Sequence, residues 1–185
     1  MKLLTTAIAG CYQIVPNVFR DERGAFVKVF HEELFREHGL RTDFAEEYYS
    51  VSRERVLRGL HFQTPPHDHA KLVYCLQGSV LDVALDLRLG SPSYDQHISL
   101  ELSEANAHML YLPAGLAHGF YTTSAQATMV YKVTSVYAPA HDSGILWNSA
   151  GIAWPDADPI ISARDKQFPA LKDFASPFPY AQEST

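Results

Sequence analysis

Lys71-Leu72-Val73-Tyr74-Cys75-Leu76 and Ser79-Val80-Leu81-Asp82-Val83-Ala84-Leu85-Asp86-Leu87, joined by Gln77-Gly78, decide the fold class. Each run is rich in branched and aliphatic side chains and is bounded by turn residues, which predicts two successive strands. The same signal recurs outward in both directions. Upstream it covers Phe44–Ser52 and Val56–Gln63; downstream it covers Tyr94–Leu102, His108–Leu112 and Gln126–Tyr137, with turns at Gly90-Ser91-Pro92 and Pro113-Ala114-Gly115. Gly24–Phe30 also alternates, with Phe26, Lys28 and Phe30 on one face. A short helix is expected over His31–His38, stopped by Gly39, and another from Ser162. Between Ala138 and Ser162 the chain reads as irregular. Many short strands with little helix between them predict an all-β antiparallel sandwich or barrel.

The 185 residues fit one domain, expected over 1–185. A chain of that length buries roughly 70% of its unfolded surface and needs no staple. Its residues are 46% hydrophobic and 19% charged, an ordinary globular balance. A net charge of -6 argues against a nucleic-acid partner, which would call for a basic face. Two cysteines, Cys11 and Cys75, are too few for a disulfide framework and point to the cytosol. Residues 1–11 resemble a lipoprotein signal only superficially, because Thr5 and Thr6 break the apolar run. No stretch approaches the roughly 20 apolar residues of a membrane span.

Four places could carry chemistry. In Arg58-Gly59-Leu60-His61-Phe62-Gln63, strict alternation sets Leu57, Gly59, His61 and Gln63 on one face and Arg58 on the other. A bulge at Gly59 would bring Arg58 and His61 to one cavity; otherwise they are an edge histidine and a surface arginine. His67-Asp68-His69, followed by Lys71, matches half of a cupin metal motif but lacks its glutamate, since Val73, Tyr74 and Cys75 occupy that neighbourhood. A metal site needs three or four converging ligands, so His67 and His69 are expected in a solvated loop and no metal is expected. Pro113-Ala114-Gly115-Leu116-Ala117-His118 matches the second cupin half-motif and aims His118 into a barrel. Tyr131 reads either as a core tyrosine or as a proton donor. Ser162-Ala163-Arg164-Asp165 has capping-box spacing, which would occupy Asp165 with a backbone N–H.

Taken in order, these segments resemble one family, the sugar-nucleotide epimerases typified by dTDP-4-dehydrorhamnose 3,5-epimerase. The resemblance runs from about Thr5 to Leu171. It also rests on Phe19-Arg20-Asp21-Glu22-Arg23-Gly24, Lys71-Leu72-Val73, Asp82–Arg88, Gly115–Phe120, Tyr131-Lys132, Ile145-Leu146-Trp147-Asn148 and Trp154-Pro155. It implies a cupin-type β-barrel (jelly roll) with a few short helices at the termini. It further implies a cytoplasmic homodimer and no cofactor. The substrate would be a nucleotide-diphosphate-linked 4-keto-6-deoxyhexose, inverted at C3, C5 or both. By the family's pattern His61 is the base, Asp165 its orienter, Lys71 the enolate stabiliser and Tyr131 the acid. Arg58, Gln63, Asp82 and His118 would hold substrate, and Phe19, Arg23 and Phe26 would reach the neighbouring subunit's nucleotide.

Three positions depart from the pattern. Lys28 stands where the family commonly has glutamate, and Glu46 and Tyr48 replace a Gln-x-Asn pair. These groups lie around the nucleotide in relatives, so the base is left open, with dTDP not preferred or weakly discriminated. The segment after Asn148 is also shorter than usual. Two other functions compete: a metal-dependent cupin dioxygenase or isomerase using His67, His69 and His118, and a sugar-nucleotide ketoisomerase or binding-only relative.

Overall fold

Alternation with period two builds two facing sheets with apolar side chains both between and outside them. In the computed structural model, which describes residues 1–180, the chain runs β1 (Lys2–Thr5), β2 (Tyr12–Val15), β3 (Val18–Asp21), β4 (Gly24–Val27) and α1 (Glu32–Glu37). It continues through β5 (Glu46–Arg53), β6 (Leu57–Gln63), β7 (Lys71–Gln77), β8 (Ser79–Asp86), β9 (His97–Ser103) and β10 (Met109–Leu112). Then come β11 (Leu116–Thr122), β12 (Gln126–Val133), β13 (Asp142–Gly144) and two 3₁₀ turns at Asp165–Gln167 and Leu171–Asp173. Residues 181–185 of the expected domain lie outside the described residues.

One sheet has the order β1-β2-β10-β7-β12-β5 and the other β13-β6-β11-β8-β9, with β3-β4 as a separate hairpin. The named strand pairs are all antiparallel. This is the jelly-roll architecture that the family resemblance implied. Between the sheets, Val73 and Cys75 of β7 and Met129 and Tyr131 of β12 meet Val80 and Ala84 of β8 and Phe120 of β11. The outer face of the first sheet is covered by α1, whose Phe35 packs with Leu72, Met109 and Tyr111. The outer face of the second is covered by the carboxy-terminal segment, where Phe174 and Phe178 pack on Phe62.

Several boundaries differ from the sequence expectation, each for a physical reason. The sequence marks only a turn and His118 where β11 runs; all seven of its residues are buried, so no polar alternation shows it. β4 stops at Val27 because Phe30 leaves to stack edge-on against Phe35 and Phe44. β12 stops at Val133, since Ser135 and the backbone beyond it turn away to bond Gln63. The helix expected from Ser162 is a single 3₁₀ turn, because Phe168 precedes Pro169 and must be extended. The clear α-helix, α1, lies between β4 and β5 rather than at a terminus.

Candidate active site

The expected bulge is present on β6. Opposite β11, His61 pairs with His118 and Arg58 with Phe120, so β6 holds two residues where β11 holds one, Gly119. Gly59 has φ of +138°, and a Cβ there would stand 2.6 Å from the Gly119 Cα, so only glycine fits this approach. The extra residue reverses the alternation. Arg58 and His61 therefore reach one cavity of about 540 Å3, shared with Arg164 and Asp165.

His61 also lines a second cavity of about 320 Å3, walled by Lys71, His69, Gln63, Tyr48 and Asp142. Its Nε2 lies 2.9 Å from Asp165 Oδ1, at contact distance but off the line of a good hydrogen bond. Such pairs often tighten only when substrate arrives. Burial pushes Asp165 up, but His61, the Gly59 N–H (3.2 Å from Oδ2) and Ser162 outweigh it and hold the carboxyl below its ordinary range. Half of the capping reading survives: Ser162 Oγ accepts from the Asp165 N–H at 3.0 Å. The carboxylate, however, is turned to His61 and Gly59 rather than to the cap.

Lys71 is buried at the start of β7, and its Nζ donates to the His61 carbonyl at 3.1 Å. Burial pulls its ammonium down to about 8, opposed by Asp142 and Asp82. Deeper in the barrel, Asp82 and His118 are linked at 2.9 Å, and the Asp82 Oδ1 has no partner among the described residues. Burial raises the Asp82 carboxyl despite His118. The Tyr131 hydroxyl lies 3.1 Å from Ser50 Oγ, and burial pushes its pKa far above the ordinary phenol value. Tyr48 stacks on the Tyr131 ring at 4.9 Å.

Not every expected residue joins this cluster as expected. Arg58 is braced by Ser52 Oγ (2.9 Å) and the Val51 carbonyl (3.2 Å). The Gln63 amide is occupied by the His67 and Val136 carbonyls and the Ala138 N–H, so it holds the cavity wall in shape rather than offering a free group. Phe19, Arg23 and Phe26 are on the β3-β4 hairpin, exposed, and line neither of the cavities around His61. Lys28 lines a third cavity of about 440 Å3 beside Phe19 and Phe26, whereas Glu46 and Tyr48 line the Lys71 cavity. Within one chain the three departures are therefore split between two places.

The solvated-loop reading of His69 is wrong. It is a wall residue, with Nδ1 facing Ser135 Oγ at 3.0 Å, while the His67 ring packs tilted against His141 at 4.5 Å. Sequence reasoning also missed Asp142 and Arg164, which pair at 2.8 Å in the same wall. Arg164 lies beside Asp165 in the Ser162–Asp165 capping-box motif; Asp142 lies in a stretch with no periodic signal. His67, His69 and His118 do not converge: His118 is bound to Asp82 and the other two face different partners. Among the described residues, no group of three or more His, Cys, Asp or Glu could hold a metal ion.

A jelly roll whose mouth carries a histidine–carboxylate pair, a buried lysine and a buried tyrosine belongs to the cupin-type isomerases, and in particular to the epimerases. The family description for dTDP-4-dehydrorhamnose 3,5-epimerase matches residues 5–173. The enzyme of that name from Salmonella typhimurium is 41% identical over 175 residues, 92% of this chain and 96% of that one. The crystal structure of the Legionella pneumophila 3,5-epimerase, in complex with dTDP-4-keto-L-rhamnose, superposes with a TM-score of 0.92 at 35% identity, covering 98% of this chain and 99% of the other. A 3′-monoepimerase from Streptomyces bikiniensis, in complex with dTDP-quinovose, gives 0.86 at 34% identity, covering 90% and 86%. The chain belongs to the dTDP-4-dehydrorhamnose 3,5-epimerase family.

Proposed function

We propose that this enzyme inverts C5 and C3 of dTDP-4-dehydro-6-deoxyglucose, one carbon at a time, through an enolate. The observation that carries the reading is the place of His61 between two cavities, facing Asp165 in one and sharing the other with Lys71, which donates to the His61 carbonyl. Asp165 faces Nε2 and keeps the ring proton there, leaving Nδ1 to take the proton from carbon. The C–H electron pair becomes the enolate double bond and the carbonyl electrons move to the C4 oxygen. The Lys71 ammonium, desolvated and anchored on the His61 carbonyl, stabilises that charge. Tyr131, kept protonated by burial, returns a proton to the opposite face; solvent then reprotonates Tyr131 and takes the abstracted proton from His61, readying the base for the second carbon. Asp82 and His118 hold the barrel end of the sugar site, with Arg58 at its other rim.

The chain acts as one domain in the cytoplasm and pairs with a second copy. Exposure of Phe19, Arg23 and Phe26, away from the His61 cavities, supports a site completed by a neighbouring subunit's hairpin. No helix among the described residues is long and apolar enough to cross a membrane.

The test is incubation in deuterated solvent with several nucleotide-linked 4-keto sugars, following C3 and C5 by NMR. Deuterium at both carbons with net inversion is expected. Exchange at C3 alone would make it a monoepimerase, and no exchange at either carbon would refute the reading. The Tyr131→Phe variant should still wash deuterium in, while net inversion falls by about 100-fold, within the range for a lost general acid. Activity should survive exhaustive chelation; loss restored by one added metal would favour the metal-dependent alternative.

A further inference from the structure

Inverting two carbons asks the acid to act twice, so Tyr131 must be recharged between the two steps. Its surroundings leave few ways in. The residue is 7% exposed and is absent from the walls of both cavities that His61 lines. Tyr48 covers one face of its ring at 4.9 Å, and His118 meets it at 6.0 Å with the two rings at 75°. Among the described residues its hydroxyl has one hydrogen-bond partner, Ser50 Oγ, at 3.1 Å.

Ser50 stands on the way out. β5 is the last strand of its sheet, with β12 on one side only. Alternation along β5 turns Tyr48, Ser50 and Ser52 toward the barrel, where they meet Tyr131 and Arg58. Opposite Ser50 on β12, Met129 is fully buried, whereas Ser50 on the edge is only half-buried. A hydroxyl donates one proton and accepts at two lone pairs. The bond to Tyr131 is the only one that Ser50 Oγ makes among the described residues, so the rest of its capacity is open to water.

We propose that Ser50 is a positioning residue that acts through Tyr131, relaying the proton that recharges it. After Tyr131 gives its proton to carbon, the tyrosinate oxygen takes the Ser50 Oγ proton while Ser50 Oγ takes one from water. The hydroxide left behind is neutralised by the proton that His61 sheds to solvent, so no charge accumulates. Burial holds the Tyr131 pKa far above the ordinary phenol value, which makes the tyrosinate a strong pull on that proton. This rests on the epimerase reading, with Tyr131 as its acid.

Two variants of nearly equal size test it. Ser50→Val removes the hydroxyl and excludes water, and Ser50→Thr keeps the hydroxyl; both side chains suit an edge strand. The probe is the nucleotide-linked 4-keto sugar in deuterated solvent, sampled by rapid quench. Ser50→Val should invert about one carbon per site at the wild-type rate, using the proton that Tyr131 already holds. Later inversions should be about 100-fold slower, the low end for a lost proton donor. Through that slow phase His61 should still wash deuterium into the sugar at the wild-type rate, and Ser50→Thr should match the wild type throughout. A purely structural role would slow the first inversion as much as the later ones. That result, equal losses in the two variants, or no slow phase in Ser50→Val would overturn the proposal. Should Ser50→Val fail to fold, Ser50→Ala decides by the same pattern: a fast first inversion and a slow phase support the relay, and their absence overturns it. Failure of the broader reading looks different: the wild-type enzyme itself would exchange no keto sugar.

Discussion

The wall around His61 and the β3-β4 hairpin both carry residues that the family resemblance assigns to substrate, and they are built in opposite ways. In the wall the side chains are buried or half-buried and already partnered: Asp165 with His61, Lys71 with a carbonyl, Asp82 with His118 and Tyr131 with Ser50. On the hairpin, Phe19 is 62% and Phe26 63% exposed, facing each other at 6.5 Å, and Arg23 pairs with its neighbour Asp21. Chemistry needs preorganised groups and obtains them from rigid strands within one chain. Two exposed phenylalanines on a two-stranded ribbon gain nothing where they stand, and make sense as contacts awaiting a second surface.

Removing the base should separate the two regions most sharply. His61→Ala should lower exchange at both carbons by a factor of roughly 100 to 10,000. Because His61 is half-exposed and its carboxylate partner keeps the Gly59 N–H and Ser162, the fold should persist. Far-UV circular dichroism and a thermal melt check the fold, and NMR checks exchange. Normal exchange in the folded variant would move the base elsewhere.

Lys71 offers the next test, on stability and in the opposite direction. Its folded pKa, about 8, lies below the ordinary 10.5, so the unfolded chain binds the proton more tightly. That cost is fully present below pH 8 and vanishes above 10.5, and a shift of this size corresponds to at most about 3 kcal/mol. Lys71→Met removes it but leaves the His61 carbonyl without its donor, a loss of about 1 kcal/mol. The variant should therefore be inactive yet more stable by about 1–2 kcal/mol at pH 7. That advantage should shrink as pH rises from 8 to 10.5, measured by urea midpoints. A less stable variant at pH 7 would show that the ammonium is not strained in its site.

The hairpin should respond in neither of these ways. Phe26→Ala changes an exposed side chain, so stability should move by no more than about 0.5 kcal/mol. If a second copy brings this ring to the nucleotide, KM should rise about tenfold, close to 1.4 kcal/mol, with kcat little changed. Unchanged KM, with sedimentation showing a monomer, would break the contrast between the two regions.

Legibility in the sequence followed the same division. The β7-β8 pair was plain because two runs of branched and aliphatic residues meet at the turn Gln77-Gly78, and His61, Lys71 and Tyr131 sit on strands that were expected. β11 was invisible because it is buried on both faces and so lacks alternation, and His118-Gly119 interrupt an aliphatic run of the kind that marks β8, which is also largely buried. Asp165 was ambiguous because capping spacing and a role behind His61 use the same side chain, and only the tertiary contact chooses between them. His69 was misplaced because local pattern cannot show that Gln63, six residues earlier, and Ser135, far along the chain, close around its ring.

The smallest effect expected concerns the nucleotide, where both regions are involved. A site discriminates between bases when the wrong one leaves buried groups unpaired, at about 1–3 kcal/mol each. Lys28, on the hairpin side, is exposed and keeps its water whichever base is present. On the wall side, Glu46 already accepts the Tyr137 N–H at 2.7 Å, and Tyr48 is stacked on Tyr131. None of the three is left wanting by a mismatched base. Discrimination among dTDP, UDP, CDP and GDP should accordingly stay below about 1.4 kcal/mol, or tenfold, in competitive calorimetry. Restoring the family's pattern with Lys28→Glu, Glu46→Gln and Tyr48→Asn together should raise the preference for dTDP beyond tenfold, because amide groups freed of internal partners would then depend on the base for theirs. A wild-type preference for dTDP above tenfold, or a triple variant no more selective than its parent, would show that base recognition resides in other residues.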